Sequence, residues 1–341
     1  MEVVPYSPEW LPGLGSLARA HARLVVPGTI PDDVAVARGL DRHLAWPFYT
    51  PGMDASQVRL VVEDGEVLAA AQLGIADHGW GYGAADGDGP DWVHDTHATI
   101  FWLFAWPGLP AADRAAALLA ASMVRWARGE GLPGLEAFRG GPGFLQFGTQ
   151  CSSRWPHLWG PLRSLGFRQP RPLVVYAGLT DPDTLPEPGD EALPVEVVQR
   201  RGRIEAWLDG TQYGVCDAEI LGDRLGPDLK AHYVDPADPV ADVAHPGTGT
   251  SDGDGTPRRR APGRAPGRRW GHVRRLWVDE DARGLGIGTA LMRAQVARLA
   301  ARGVGNWALH LPDGTGVGPA HGLYARFGRV VDHQYVLRLS F

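Results

Sequence analysis

The pattern of apolar and polar residues predicts a β-hairpin in each half of the chain. In both cases two strand-forming runs flank an Asp-Gly pair, Asp64-Gly65 in the first half and Asp209-Gly210 in the second. Asp-Gly between such runs favours a two-residue turn whose backbone twist matches that of paired strands. The predicted hairpins join residues 58–62 to 67–73 and residues 203–208 to 211–221.

A similar series of elements follows each hairpin: a strand, a long helix, and then further strands and a short helix. In the second half, Ile287, Ala290, Leu291 and Ala294 recur at the spacing of an amphipathic helix. The clearest elements are strands 98–105 and 173–177 and helix 111–128 in the first half, and strands 272–278, 306–311 and 334–339 and helices 287–302 and 319–327 in the second. This shared order predicts an internal duplication within an α/β (α+β) protein.

A change in composition separates the two halves. Residues 180–192 are rich in Asp, Pro, Thr and Glu and have too few apolar side chains to order themselves, which is typical of an interdomain linker. We therefore predict an N-terminal domain over 1–179 and a C-terminal domain over 193–341. A low-complexity insert over 235–269 interrupts the second domain, and we expect it to be disordered.

Two arginine clusters in the insert, at 258–260 and 268–269, could contact nucleic acid or acidic lipid. They lie among Ala, Pro and Gly without interleaved aromatic residues, so a solvated charge run is the favoured interpretation. The net charge of −6 also argues against a dedicated nucleic-acid binder. A nucleic-acid-associated factor that uses the insert stays open as the less favoured hypothesis.

The overall composition is that of a soluble globular protein, with 44% hydrophobic and 21% charged residues. No window is apolar enough to span a bilayer and the N-terminus lacks the features of a signal peptide, so we expect a cytoplasmic protein without membrane contact. Cys151 and Cys216 are far apart and outside any metal-binding spacing. We interpret both as buried apolar residues and expect no metal.

A glycine-rich turn, Arg283-Gly284-Leu285-Gly286-Ile287-Gly288, follows the predicted strand 272–278 and leads into the long helix of the second half. Glycines let the backbone approach a ligand closely, and the free N–H groups of a helix's first turn favour an anion such as a pyrophosphate. Arg283 could add a charge-assisted contact to a phosphate. The turn lacks the Gly-Lys-Ser/Thr of a P-loop, and it lacks the glycine spacing and the later acidic residue of a dinucleotide fold.

Two motifs of this half resemble those of the GNAT superfamily of N-acetyltransferases. Arg283, Gly286 and Gly288 fill the pattern Arg/Gln-x-x-Gly-x-Gly/Ala. The stretch from Ala320 to Arg329 is similar to Ala-x-x-Leu-Tyr-x-x-x-Gly-Phe, with Arg329 in place of the final Phe. The resemblance implies two GNAT-like domains, each a mixed, mostly antiparallel sheet flanked by helices, with acetyl-CoA or another acyl-CoA in a gap between two splayed strands. The cofactor-binding residues that it implies are Leu276, Trp277, Val278, Arg283, Gly284, Leu285, Gly286, Ile287, Gly288 and Thr289.

The resemblance also implies direct attack of an amine on the thioester, which needs a base, an acid and dipoles for the developing oxyanion. Tyr324 matches the acid that protonates the leaving thiolate, since a phenol has a pKa of about 10. The backbone N–H of Val278 would polarise the carbonyl. Two candidates for the base stay open: His272, four residues before Leu276 where many relatives carry glutamate, and Glu219 on the neighbouring hairpin strand.

The first half lacks the residues that carry this chemistry. The segment from Trp106 to Arg114 has two prolines and no Arg-x-x-Gly-x-Gly, and Leu162 stands where the tyrosine would be. We predict a degenerate N-terminal domain that keeps the fold without the site. This arrangement resembles tandem GNAT proteins, mycothiol synthases among them, in which one copy does the chemistry.

These observations predict an acyl-CoA-dependent N-acyltransferase whose C-terminal domain is catalytic and whose acyl donor is acetyl-CoA or a related acyl-CoA. The acceptor is an amine; a small molecule, a peptide N-terminus and a lysine side chain are all open, as is a homodimer. The alternative hypothesis is a non-catalytic sensor or scaffold that binds acyl-CoA with the same fold.

Overall fold

A computed structural model describes most of both halves of the chain. The described residues are 1–25, 30–40, 57–76, 96–138, 145, 150–168, 172–181, 183, 185–187, 189, 192–200, 203–221, 233–234, 269–312 and 318–341. Apart from Arg269, the insert predicted to be disordered lies outside them, so its disorder stays a prediction.

The described part of the first half contains eight strands and four helices, and that of the second half contains eight strands and two helices. The first half has β1 (Glu2–Pro5), α1 (Leu11–Ala22), β2 (Ile30–Pro31), α2 (Asp33–Leu40), β3 (Val58–Glu63), β4 (Glu66–Ala76), β5 (His97–Ala105), α3 (Pro110–Gly129), β6 (Gly134–Ala137), β7 (Cys151–Ser152), α4 (Pro156–Ser164) and β8 (Leu173–Leu179). The second half has β9 (Glu196–Arg200), β10 (Arg203–Leu208), β11 (Thr211–Ile220), β12 (Tyr233–Val234), β13 (Trp270–Val278), α5 (Ile287–Ala301), β14 (Asn306–Pro312), α6 (Gly318–Phe327), β15 (Arg329–Tyr335) and β16 (Leu337–Ser340).

Two mixed sheets flanked by helices form the framework, which confirms the predicted fold class. The first sheet has the order β1-β3-β4-β5-β6-β16, and the second has the order β7-β15-β8-β14-β13-β11-β10-β9. Neighbouring strands are antiparallel except for β5 with β6 and β13 with β14, which are parallel. Helices α1 and α3 pack on the first sheet, and α5 packs on β10, β11 and β13 of the second. A short ladder of β2 and β12 also joins the two halves.

Both predicted hairpins are present, and their turns explain the Asp-Gly pairs. Asp64 and Gly65 have φ of 51° and 81°, and Asp209 and Gly210 have φ of 50° and 79°. Positive φ at both central residues defines the turn type that matches strand twist, and Asp and Gly are among the few residues that tolerate it. The series β3-β4-β5-α3-β6-α4 then recurs as β10-β11-β13-α5-β14-α6, which confirms the predicted duplication.

The two sheets exchange their last strands, which the sequence did not predict. Strand β8 of the first half lies between β14 and β15 in the second sheet, whereas β16 pairs with β6 in the first sheet. The single closing strand predicted over 334–339 is therefore wrong, because this stretch divides into β15 and β16 in different sheets. The limits 1–179, 180–192 and 193–341 stay a prediction, although the sheets cross them.

A buried ion pair marks the exchanged strand β16. Arg338 Nε lies 3.0 Å from Glu136 Oε1 on β6, and His97 Nε2 lies 3.6 Å from Glu136 Oε2. In the second sheet the matching cross-strand pair is Ala308 with Ala177, so the charged contact belongs to the first sheet alone. Strand β16 therefore supplies a cation to the buried Glu136, whereas β8 carries an alanine at the matching position and could not do so.

The described residues of the linker are packed against the second half, contrary to the expectation that the linker could not order itself. The side chain of Leu185 is buried in the core of the second sheet. Arg293 of α5 donates to the Leu185 carbonyl at 3.1 Å and pairs with the Glu187 carboxylate at 2.6 Å, while Arg326 of α6 donates to the Glu187 carbonyl at 3.0 Å. The linker is therefore ordered by contacts with the second half, namely the burial of Leu185 and the bonds from Arg293 and Arg326, and not by apolar contacts among its own residues.

Cys151 and Cys216 are free and buried, as their interpretation as apolar residues expects. Among the described residues, no helix is both long and apolar enough to cross a membrane.

Candidate active site

The glycine-rich turn connects the end of β13 to the start of α5. Gly284 and Gly286 both have positive φ, 84° and 77°, and the first backbone bond of α5 runs from Ala290 N–H to Gly286 C=O. The N–H groups of Ile287 and the next two residues therefore have no acceptor within the helix. This is the geometry in which a helix N-terminus binds an anion.

Close packing explains why Gly288 has no side chain. A Cβ on Gly288 would lie 3.1 Å from Leu323 of α6 and 3.8 Å from Leu276 and Val278 of β13. The first turn of α5 thus meets β13 on one side and α6 on the other. At Gly284, by contrast, a Cβ would meet no atom within 4 Å, so this part of the turn faces open space.

Arg283 is exposed and pairs only loosely within the turn. Its Nη1 lies 3.7 Å from the carboxylate of the exposed Glu280. Exposed ion pairs of this kind are weak, so a phosphate could replace the carboxylate at little cost. The residues predicted to hold a pyrophosphate thus form one continuous turn, and their donors fit such a group.

The strands β13 and β14 part after a short parallel contact. They pair only where Trp270, Gly271 and His272 lie beside residues 306–308. Beyond this point β14 continues to pair with β8 as far as Pro312, while β13 continues beside β11 to Val278. Among the described strands, none pairs with the β14-side edge of β13 beyond His272, which leaves a gap between the two strands.

Backbone donors of β13 point into this gap. Asp279 N–H donates to Tyr213 C=O at 2.8 Å, and the preceding residue, Val278, is paired with Gly214. In an antiparallel ladder, hydrogen-bonded pairs alternate with non-hydrogen-bonded pairs. Since Asp279 and Tyr213 are hydrogen-bonded, the next pair, Val278 and Gly214, is a non-hydrogen-bonded one, whose N–H and C=O groups point away from the partner strand. The N–H of Val278 is therefore directed to the gap side, and by alternation so is that of Leu276.

The two candidate bases lie together at the point where the gap opens. Glu219 and His272 are cross-strand partners on β11 and β13, so their side chains share one face of the sheet. His272 Nδ1 lies 3.4 Å from Glu219 Oε1, and Arg274 Nε lies 3.8 Å from the same oxygen. His272 is only 3% exposed. The alternatives that the sequence left open thus form a single carboxylate–imidazole unit.

The first sheet has no ionisable residue at the corresponding positions. Each sheet has one extra residue in its central strand, Phe101 in β5 and Arg274 in β13, where the register with the hairpin shifts. Counting from these bulges, the pair Gly74 and Thr99 stands where Glu219 and His272 stand in the second sheet. The first half therefore keeps the strand geometry and lacks the acid–base pair.

Tyr324 lies on the opposite side of the second sheet from His272. It belongs to the buried cluster that includes the apolar face of α5, and Gly271 also faces α5 because a Cβ there would lie 2.6 Å from Leu299. His272, the next residue of β13, therefore points away from α5. Burial raises the pKa of Tyr324, and the Cys216 thiol adds to the shift, so the phenol keeps its proton through the neutral range.

Sequence reasoning missed several residues near these groups. Tyr176 of the exchanged strand β8 packs against Tyr324 with ring centroids 5.9 Å apart, and its hydroxyl lies 2.9 Å from His321 Nδ1. On the other face His310 packs against His272 with ring centroids 5.9 Å apart. No local motif could reveal Tyr176, since it reaches the site only through the strand exchange. A histidine within an apolar strand was the one available signal for His310.

Comparison with known protein families agrees with this geometry. Residues 247–328, which include the glycine-rich turn and Tyr324, match the family model described as an acetyltransferase (GNAT) domain. No curated protein matches the sequence significantly. The distant likeness to mycothiol synthases stays a prediction.

The similarity to solved structures covers nearly the whole chain. A GCN5-related N-acetyltransferase from Sphaerobacter thermophilus has a TM-score of 0.56 and 14% identity over 99% of this chain and 95% of its own. A tandem GNAT protein from the clavulanic acid biosynthesis pathway has a TM-score of 0.53 and 14% identity over 99% and 98%. An acetyltransferase of the GNAT family from Colwellia psychrerythraea has a TM-score of 0.51 and 8% identity over the full length of both chains. At such identities the likeness concerns the fold.

Proposed function

We propose that this chain, which carries a GNAT acetyltransferase domain within a tandem GNAT fold, is an N-acyltransferase that uses acetyl-CoA or a related acyl-CoA and performs the chemistry in its second half. The observation that carries the proposal is the position of His272 and Glu219, at the mouth of the β13–β14 gap whose edge strand β13 leads to the turn suited to bind a pyrophosphate. Thr99 and Gly74 at the same place in the first sheet favour a single active site.

The described residues suit an extended donor with a pyrophosphate at one end and a thioester at the other. The α5 N-terminus and Arg283 would hold the phosphates. The gap-side N–H groups of Leu276 and Val278 would bind the chain that leads to the thioester, so that its carbonyl lies near Leu276. Val278 lies about 20 Å along the strand from His272 and would bind the chain further from the thioester. The partly buried leucines at positions 276 and 323 would cover this passage against water.

Acid and base then act from opposite faces of the sheet. His272, with its Nδ1–H donated to Glu219, takes a proton from the acceptor ammonium at Nε2, directly or through a water molecule. The free amine forms a C–N bond to the carbonyl carbon while Leu276 N–H stabilises the oxyanion. The C–S bond breaks as Tyr324 donates its proton to the thiolate. The attacking nitrogen loses its second proton to solvent, and the phenolate takes a proton back from solvent, so that one proton is released in all.

A turnover assay with the full-length chain tests the proposal. Release of the CoA thiol from acetyl-CoA is followed with a panel of small amines, N-terminal peptides and lysine peptides. We expect amine-dependent release, with at least a tenfold lower kcat in Tyr324→Phe and unchanged affinity for acetyl-CoA, since a general acid typically contributes about 100-fold or more. Tyr335→Phe is the matched control because Tyr335 packs on Trp159, in the first half's apolar cluster.

Binding of acetyl-CoA without turnover of any amine would instead favour the non-catalytic sensor. Equal turnover in the wild type and Tyr324→Phe would remove the phenol from the mechanism.

A further inference from the structure

A ring contact of His272 with His310, followed by a chain of hydrogen bonds from His310, leads from His272 to the first half of the protein. His272 packs edge-to-face against His310, at an interplanar angle of 88°. His310 Nε2 lies 3.1 Å from Gln334 Oε1, and Gln334 Nε2 lies 3.3 Å from Asp332 Oδ2. At the end of the chain, the hydroxyls of Ser152 and Ser153 in the first half donate to Asp332. This chain connects β13 and β14 to β15 and to the short strand β7.

The contacts of Gln334 determine the tautomer of His310. The backbone N–H of Gln150 donates to Gln334 Oε1 at 3.1 Å, and Asp332 accepts from Gln334 Nε2. The side-chain amide of Gln334 is therefore oriented by a donor on one side and an acceptor on the other. Since Oε1 can only accept, His310 Nε2 carries the proton that it donates, and Nδ1 carries the lone pair.

Asp332 is fixed in turn by the first half. Its two carboxylate oxygens accept from Ser152 Oγ at 2.6 Å and from Ser153 Oγ at 2.8 Å. Asp332 is 3% exposed, and burial raises its pKa while the bonds from the serines and Gln334 oppose the rise. A buried carboxyl group with three donors has one stable orientation, so Gln334 and His310 inherit theirs from it.

The His310 ring stays uncharged beside His272. The pKa of His310 is lowered to about 3, first by burial and then by the charge that His272 can carry, against the bond to Gln334. Among the described residues, Glu219 of β11 contacts His272, Arg274 of β13 contacts Glu219, and Asp332 of β15 contacts Gln334. Of the two imidazoles, His272 is the one in contact with a carboxylate.

Among the described residues of the first sheet, an apolar side chain stands at the position that corresponds to His310. By the same count from the bulges, Phe138 stands where His310 stands in the second sheet. Both halves thus have an aromatic ring at this position. Only in the second half, which carries His272 and Glu219, is that ring an imidazole that bonds to a polar side chain, Gln334.

We propose that His310 is a positioning residue for His272, and that the first half holds it in place through the backbone of Gln150 and the hydroxyls of Ser152 and Ser153. The tautomer of His310 follows from the contacts alone, whereas its effect on the reaction rests on the proposed acyl transfer. The first half thereby has a role at the active site of the second, beyond the strand that it contributes.

Imidazole NMR of the intact, ¹⁵N-labelled wild type tests the contacts without any substrate. We expect His310 in the Nε2–H tautomer, unprotonated from pH 8 down to pH 5.5. The Nδ1–H tautomer, or protonation of His310 near the ordinary histidine pKa of about 6.5, would overturn the proposal.

The double variant Ser152→Ala/Ser153→Ala tests the link to the first half. Its control is Ser122→Ala, also in the first half, whose hydroxyl donates to Leu119 C=O within α3. We expect the double variant to give a mixture of His310 tautomers, a kcat lowered about tenfold and an altered pH profile of kcat/KM, with an unchanged KM for acetyl-CoA. His310→Phe should lower kcat in the same way while keeping the ring.

The outcomes separate the two proposals. A single Nε2–H tautomer and the kcat of Ser122→Ala in the double variant would overturn the role of the first half. If the intact protein transfers no acyl group to any amine, the proposed function fails, and the wild-type tautomer still decides whether the contact chain exists.

Discussion

His21 and His310 show what burial does to an imidazole in this protein. Each has a pKa lowered to about 3, and burial is the largest cause in both cases. His21 is fully buried, with Nδ1 3.0 Å from Leu17 C=O and Nε2 3.0 Å from His157 Nε2. In the unfolded chain both would have a pKa near 6.5. Between about pH 6.5 and 3 the unfolded state therefore binds more protons, so these two residues make stability fall as the pH is lowered.

Removing one buried imidazole should weaken this pH dependence. We expect His21→Phe to reduce the loss of unfolding free energy between pH 6 and pH 5 by up to about 1.4 kcal/mol, the value of one pKa unit. Urea unfolding at pH 7, 6 and 5 measures it, with His333→Gln as the control on β15. The same pH slope in His21→Phe as in the wild type would show that His21 is protonated in the folded protein. Comparison between variants is needed because the raised pKa of Asp332 acts in the opposite direction.

Local sequence was sufficient for some site residues and insufficient for others. The turn from Arg283 to Gly288 could be predicted because its proposed function, binding a pyrophosphate, depends on adjacent glycines and the helix that follows. His272 and Glu219 could be named only as alternatives, since their contact depends on the register of β11 against β13. His310 and Asp332 join the site across separate strands, and no spacing in the sequence encodes that contact.

The exchanged strand β16 is the element whose placement most needs an explanation. At the matching positions the two exchanged strands differ, because β16 carries Arg338 where β8 carries Ala177. The ion pair of Arg338 with Glu136 distinguishes the strands, because Glu136 is fully buried and its carboxylate lies 3.0 Å from the guanidinium. A buried charge without its partner is strongly unfavourable, so the pair disfavours the wrong insertion.

Removal of Arg338 alone should therefore lower the free energy of unfolding more than removal of both Arg338 and Glu136. We expect Arg338→Met to lower the unfolding free energy by about 3–5 kcal/mol, and Glu136→Leu/Arg338→Met to recover most of that loss. Urea denaturation of the two variants measures both values. If the double variant is as unstable as the single one, the pair contributes through packing, and strand selection must have another source.

Elements were predictable where their signals are local, as the Asp-Gly turns of both hairpins show. The exchange was not, because β8 follows α4 in sequence as an ordinary closing strand would. Its destination depends on contacts with β14 and β15, more than a hundred residues later in the chain. The linker was misjudged for the same reason, since its partners Arg293 and Arg326 belong to α5 and α6.

In the whole molecule, two copies of one fold have become interdependent. Each sheet includes a strand from the other half, and the linker is bound to the helices beside the glycine-rich turn. The first copy has Thr99, Gly74 and Phe138 where the second has His272, Glu219 and His310. We therefore expect one acyl-CoA site per chain, and we expect experiments on it to need the full-length protein.

Calorimetric titration with acetyl-CoA tests this claim most directly. Gly284→Asp introduces a carboxylate into open space at the turn, at a positive φ that disfavours Asp less than most other side chains. Leu109→Asp is the control in the turn before α3 of the first half, because Leu109 is exposed and is the N-cap of that helix, where Asp is favoured. We predict one site per chain, with at least tenfold weaker binding in Gly284→Asp and wild-type binding in Leu109→Asp. Weakening in Leu109→Asp alone would place the site in the first half, and no binding by the wild type would contradict the account.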